Sequence, residues 1–251
     1  MGSFLRLMCT VILFGGAVSA QADNQGKLVD IYVYHHFPPY IINLQNQEGL
    51  YFDFADYLNN KSDQFRFATQ YMPRKRLERK LTKNELGGIV LGVNPLWFKD
   101  KNEQKYLWTQ AVFRDRDEIV SPKTDPVEYT DPASLKGKRI GGILGFYYYG
   151  IDELAAEGHL TRVNTNGEQA LLSMILRGRV DAGIVSHAAM KYLIPRNQWQ
   201  GKLHISTQPH DEFERRVLLP KQQKAVYEFM IPIIGKLQED PAWLNLLKSY
   251  Q

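Results

Sequence analysis

Ser134-Leu135-Lys136-Gly137-Lys138-Arg139-Ile140-Gly141-Gly142-Ile143-Leu144-Gly145 reads as a turn, a short apolar strand and a closing glycine, and residues 149–157 can continue it as a helix. A strand that runs through glycine into a helix is a half-unit of an α/β layer, and its loop aims backbone N–H groups at whatever enters the adjoining cleft. The same alternation extends downstream, with helical spacing at 167–177, an apolar strand at 180–185 and a helix at 188–193. Upstream, residues 28–34 are β-branched and aromatic with rough alternation until His35-His36-Phe37-Pro38-Pro39-Tyr40 breaks them. A helix at 49–58, a strand at 65–71, a helix at 74–86 and a strand at 89–93 follow. Ile89-Val90-Leu91-Gly92-Val93 is apolar throughout, as expected for a strand buried on both faces. Two α/β units are therefore expected, connected by a crossing strand at 117–121 and a return strand at 215–219. An amphipathic helix at 225–238 and a short one at 241–250 end the chain.

The first 22 residues set the expected compartment. Arg6 supplies a positive n-region, residues 7–18 form an apolar run, and Val18-Ser19-Ala20 and Ala20-Gln21-Ala22 offer small residues at cleavage spacing. This reads as a secretory signal peptide. Its apolar run, about a dozen residues, is shorter than the roughly 20 needed to cross a bilayer, so no stable membrane insertion is expected. The single cysteine, Cys9, lies inside that segment, so the mature chain has no structural disulfide, and Cys9 lacks the context of a lipid-modified cleavage site. The formal charge of +4, with its main cluster at Arg74-Lys75-Arg76, Arg79 and Lys80, fits a solvated helix face or an anionic ligand as well as it fits nucleic acid, and export argues against the last.

The order of motifs resembles the family-3 extracellular solute-binding proteins, the periplasmic receptors of polar amino-acid ABC importers. The matching pieces are the strand ending in Phe37-Pro38-Pro39-Tyr40, the helix start Gly49-Leu50 with Asp53, Met72-Pro73-Arg74-Lys75-Arg76, Leu135 to Gly141, Gly178-Arg179-Val180-Asp181-Ala182, and the final helix from Asp240. The resemblance implies an α/β, two-lobed, type II periplasmic-binding-protein fold. Each lobe would be a mixed sheet flanked by helices, and two crossing hinge segments would join them. The implied division is 1–22 signal peptide, 23–116 first lobe, 117–213 second lobe and 214–251 return to the first. It also implies a monomer that holds a small-molecule ligand between the lobes and delivers it to an ABC permease or a membrane sensor, with no cofactor, no metal and no nucleic acid.

Two departures from the family pattern bear on the ligand. Amino-acid receptors place an arginine about six residues before a Phe-Ser pair to grip the ligand carboxylate; the pair here is Trp108-Thr109, and counting back reaches Lys101 and Asn102. The family aspartate that pairs with the ligand ammonium is Ser186 in this chain. Without that charged pair to offset desolvation of a zwitterion, a standard α-amino acid is not expected.

The candidate ligand-binding residues are Phe37, Tyr40, His36, Arg74, Asn94, Trp97, Phe146, Tyr147, Tyr148 and Ser186. Phe37 falls where the family places an aromatic platform, and Tyr40 follows two prolines that fix the loop. His35 and His36 point to opposite faces by strand alternation, so one at most is inward, and His36 is assigned to the cleft. Arg74 offers a guanidinium in place of the missing fork, whereas Arg76 matches a structural family arginine. Asn94 and Trp97 follow the carboxyl end of a buried strand, where open α/β sheets bind ligands. Of the aromatic run 146–149, helical geometry turns only one or two toward the cleft. Ser186 and His187 follow a second buried strand as neutral hydrogen-bonding groups.

Three function classes remain. The first is a receptor for a small polar or aromatic-bearing solute. The second is an enzyme on the same scaffold, of the cyclohexadienyl dehydratase kind, with His35, His36 or His187 as acid or base. The third is a stand-alone sensory binding protein. No triad, metal-spaced cluster or phosphate loop supports catalysis, so no catalytic residue is assigned.

Overall fold

The structure, a computed structural model, describes residues 26–250; the signal-peptide reading of 1–22 lies outside the described residues. The chain begins with β1 (Lys27–Val33), α1 (Leu50–Asn59), β2 (Phe65–Tyr71), α2 (Arg74–Thr82), β3 (Ile89–Val93) and β4 (Leu107–Trp108). β1 lies between β2 and β3, parallel to both. Along β1, Val29, Ile31 and Val33 are buried while Asp30 and Tyr32 are only partly so, the period-2 pattern of a strand with one fully covered face. β3 is buried at every position: Ile89 and Leu91 join the cluster formed with α1 and the C-terminal helices, and Val90 and Val93 join the one formed with α2. The unbroken apolar run at 89–93 thus marks a central strand covered on both faces.

β5 (Phe113–Pro122) carries the chain out of this first lobe. It leads into β6 (Arg139–Ile143), α3 (Ile151–Ala156), β7 (Thr161–Thr165), α4 (Glu168–Leu176), β8 (Ala182–Ser186), α5 (His187–Arg196) and β9 (Leu203–Ile205). β10 (Asp211–Leu219) leads back, and α6 (Lys224–Ile234) and α7 (Pro241–Lys248) finish on the first lobe, where Trp243 is buried against Phe54 and Phe229 stacks on Phe67. β10 pairs with β3 through one half and with β5 through the other, and β5 in turn pairs with β8. The strand order β2-β1-β3-β10-β5-β8-β6-β7 therefore runs through both lobes. The antiparallel β5/β10 ladder is the double crossing between them.

Two glycines permit close approaches that set this geometry. Gly92 has φ +80°, and a Cβ there would lie 2.0 Å from the Tyr51 hydroxyl; it adjoins the register shift between Arg216 and Val217, a bulge that only glycine accommodates without strain. Gly141 lies opposite Gly183 across β6 and β8, and a Cβ at Gly141 would stand 2.4 Å from Leu171 Cδ1. The pair lets α4 lie directly on the second sheet.

Three sequence expectations need correction. α2 ends at Thr82 rather than 86, because its buried stripe is only Leu77 and Leu81 and the chain turns through Asn84 at φ 57°, with Glu85 N returning to Lys80 O at 2.8 Å. The crossing strand begins at Phe113, four positions earlier than the apolar pattern indicates, because its first half is charged. The 225–238 helix stops at Ile234, and residues 237–239 form a separate 3-10 turn.

Candidate functional site

A cleft of about 930 Å³ lies between the lobes. The first lobe contributes Tyr34, His35, Phe37, Arg74 and Trp97, the second Phe146, Tyr148, Glu168 and Ser186, and the crossing strands Asp117, Phe213 and Arg215. His35 leaves the end of β1 on the inward side and is buried. Its ring centroid lies 5.9 Å from Phe37, 5.8 Å from Trp97 and 5.9 Å from Phe146. Burial, followed by the Arg215 and Arg74 charges, holds its pKa well below the usual histidine value, so the imidazole is neutral.

Trp97 is presented by the 3-10 turn Pro95–Phe98, which Asn94 caps by accepting from Leu96 N at 2.9 Å. Its indole meets Phe213 edge-on at 5.0 Å. Arg74 opens α2, where Nε donates to Glu78 and Nη2 to the Trp97 carbonyl at 2.9 Å. Phe146 crosses from the second lobe to within 6.5 Å of Phe37, which makes aromatic contact continuous between the lobes. Tyr148 is buried and its hydroxyl accepts from Ile143 N at 3.1 Å, with the Arg162 guanidinium 5.1 Å from its ring.

The crossing strands supply the charge. Strand alternation places Asp115 and Asp117 on one side of β5 and Arg116 and Glu118 on the other. Asp115 accepts from Arg215 Nε and Nη2 at 3.2 and 3.0 Å, from the Tyr40 hydroxyl at 3.0 Å and from the Ser186 hydroxyl at 2.9 Å, all on Oδ2. Arg215 Nη1 donates to Gly92 O at 3.3 Å, and the guanidinium lies 4.6 Å from the Tyr40 ring and 5.0 Å from Phe213. Asp117, directly opposite Ser186 in the ladder, has its pKa pushed up to about 7 by burial and by the Asp115 charge, against the opposing pull of Arg215. Glu168, the first residue of α4, accepts from Ser186 N at 3.4 Å through Oε1. Its Oε2 is buried with no hydrogen-bond partner among the described residues. Burial, then the nearby Asp117 charge, lifts its pKa well above the usual range.

The structure brings Phe37, Arg74, Trp97, Phe146, Tyr147, Tyr148 and Ser186 to the cleft. Tyr147 sits at its rim, 63% exposed, with its hydroxyl on Glu153. Three candidates lie elsewhere. His36 faces outward and packs on Tyr71 at 5.2 Å; alternation after Val33 sends His35, not His36, inward. Tyr40 is turned to the rear of the crossing strands, stacked on Tyr51 at 4.9 Å. Asn94 is a capping residue whose side-chain amide donates to Glu214 O at 3.3 Å. His187 is also at the rear, with Nδ1 2.7 Å from Glu118.

Two amides of the loop before α3 are used within the chain, where Asp152 accepts from Tyr148 N and Glu153 from Gly150 N. At the family arginine position the chain folds around Asp100, which accepts from three backbone amides and from Trp108 Nε1, and neither Lys101 nor Asn102 lines the cleft. Sequence reasoning missed Asp115, Asp117, Glu168 and Arg215. For Asp115, Asp117 and Arg215 the available signal was charge at the strands expected to cross between lobes, whereas Glu168 opens a helix.

Two α/β lobes joined by paired crossing strands, with a ligand-sized cleft between them, define the type II periplasmic-binding-protein fold. No protein-family profile matches the sequence, and no curated protein matches it. Solved structures similar to the chain include a mutant of ArgBP from T. maritima (TM-score 0.68, 15% identity, 89% of this chain and 94% of that chain). An arginine 3rd transport system periplasmic binding protein from Legionella pneumophila is similar too (TM-score 0.67, 15% identity, 90% and 100%). So is the Bordetella pertussis BvgS VFT2 domain (TM-score 0.64, 16% identity, 89% and 93%). At these identities the likeness is one of fold.

Proposed function

We propose that the chain is a periplasmic solute-binding protein, a monomer that takes up a small ligand in the interlobe cleft and presents it to an ABC permease or a membrane sensor. The observation that carries this reading is the cleft itself. Its volume of about 930 Å³ lies in the ligand-pocket range. Both lobes wall it with aromatic rings, and the β5/β10 crossing floors it. The proposed units are 23–116, 117–213 and 214–251, and β5 with β10 is the segment about which the lobes close. Arginine-binding and amino-acid-transporter proteins among the structural neighbours support the class, whereas the ligand is read from the cleft.

The test is a thermal-shift screen of the purified protein against α-amino acids, organic acids, oligosaccharides, amines and aromatic metabolites. A ligand at 100 times its Kd adds about 2.7 kcal/mol of stability. The expected result is stabilisation by one class and its loss in Phe37→Ala; no response to any class would contradict the reading.

A second reading, an acid–base enzyme on the same scaffold, is favoured by one observation: Asp117, whose pKa burial and the Asp115 charge push up to about 7, and the neutral imidazole of His35 line a single cleft. Chemical change of the stabilising ligand on prolonged incubation would select it over the receptor.

A further inference from the structure

Ser186 stands where relatives carry an ammonium-binding aspartate, yet the cleft is not short of negative charge. Glu168 is 3% exposed and lines the cleft with one carboxylate oxygen unpartnered among the described residues. Asp117 lines it on the adjoining strand. A buried carboxylate without a counter-charge is costly, so Glu168, joined through Ser186 to the half-buried Asp117 opposite it in the ladder, favours a cationic partner in the cleft.

The two guanidinium groups of the cleft are engaged within the chain, and the lysine among its lining residues, Lys99, is exposed to solvent. Arg215 spends Nε and Nη2 on Asp115 and Nη1 on Gly92 O. Arg74 spends Nε on Glu78 and Nη2 on the Trp97 carbonyl. The Nε–Nη2 edge of Arg215 is thus occupied by Asp115, and that of Arg74 is divided between Glu78 and the Trp97 carbonyl. The surrounding walls are aromatic faces, which favour a cation electrostatically. His35 Nδ1, which has no partner among the described residues, offers the ligand body one neutral hydrogen bond.

Building on the solute-binding reading above, we propose that the cleft takes an organic cation without a carboxylate. Its primary ammonium or guanidinium head donates to Glu168 and Asp117, and its aromatic or aliphatic body lies among Phe37, Trp97 and Phe146.

Matched pairs that differ only by the carboxylate test this directly. Tyramine with tyrosine and agmatine with arginine would be titrated calorimetrically into the purified protein, beside succinate and maltose. The expected result is binding of at least one amine, with its carboxylated counterpart weaker by about tenfold or more. Glu168→Gln and Asp117→Asn should each weaken the amine by a similar factor. If Glu168→Gln does not fold, the less buried Asp117 carries the test alone. Equal affinity for both members of a pair, binding of succinate or maltose only, or amine affinity undiminished in the variants would overturn the cation assignment and leave the solute-binding reading standing. Silence from both amines overturns the assignment as well, while the solute-binding reading falls only with silence across the wider screen.

Discussion

Asp115 and Asp117 sit two residues apart on one side of β5 and live in opposite circumstances. Asp115 Oδ2 collects an arginine, a tyrosine hydroxyl and a serine hydroxyl, so the hinge network closes on itself. Asp117 shares the cleft floor with Glu168, and the charges nearest to it are mostly of its own sign. A few ångströms of strand thus separate a polar cluster that holds the lobes from one left for a partner outside the chain. Burial alone does not tell structural charge from functional charge; whether the partners are already present does.

The largest expected effect lies in the hinge. Asp115→Ala leaves the Arg215 guanidinium buried without its counter-ion and is expected to cost about 3–5 kcal/mol in urea unfolding. Glu168→Gln replaces a buried carboxyl group with a neutral amide and is expected to leave stability unchanged or raised at pH 8. Equal losses in the two variants would erase the distinction between the clusters.

The second effect is on pH dependence. Asp117 and Glu168 have folded-state pKa values raised above their unfolded ones, so the native state holds protons that the unfolded state has released. Their contribution to stability is therefore full below the unfolded carboxylate range, near about pH 4. The Asp117 part is lost as pH rises through about 7, and the Glu168 part as pH rises through its own raised pKa. The groups that act on this pair are Asp115 and Glu118 on β5, Asp211 and Arg215 on β10, and Tyr148 before α3. Unfolding measured from pH 4 to 8 is expected to show this decline, and Asp117→Asn to flatten it.

The smallest effect is at Asn94, where alanine is expected to cost about 1 kcal/mol through loss of the cap and to leave the ligand response of the thermal-shift screen intact. Loss of that response would return Asn94 to the cleft.

The lobes were more legible in the sequence than the cleft floor, for a physical reason. Residues 28–34, 65–71 and 89–93 form β1, β2 and β3 nearly as their periodicity indicates, because side-chain burial in a sheet repeats every two residues within one segment. Cleft aromatics such as Phe37, Trp97 and Phe146 were legible too, since they follow strand ends. Arg114-Asp115-Arg116-Asp117 was opaque: a charged run reads locally as a solvated face, and only pairing of β5 with β10 and β8, from distant parts of the chain, buries alternate members of it. Glu168 reads as an ordinary helix-start acid until Ser186 and Asp117 are brought beside it. His35 and His36 show the limit of alternation alone, which separates the two faces without saying which is inward.

The most direct measurement is calorimetric titration of tyramine at pH 7 in two buffers of different ionisation enthalpy, which counts the protons exchanged on binding. If the cleft keeps Glu168 and Asp117 protonated until a cation replaces the protons, each binding event releases more than about half a proton. Heats that are the same in both buffers, or proton uptake, would contradict the account.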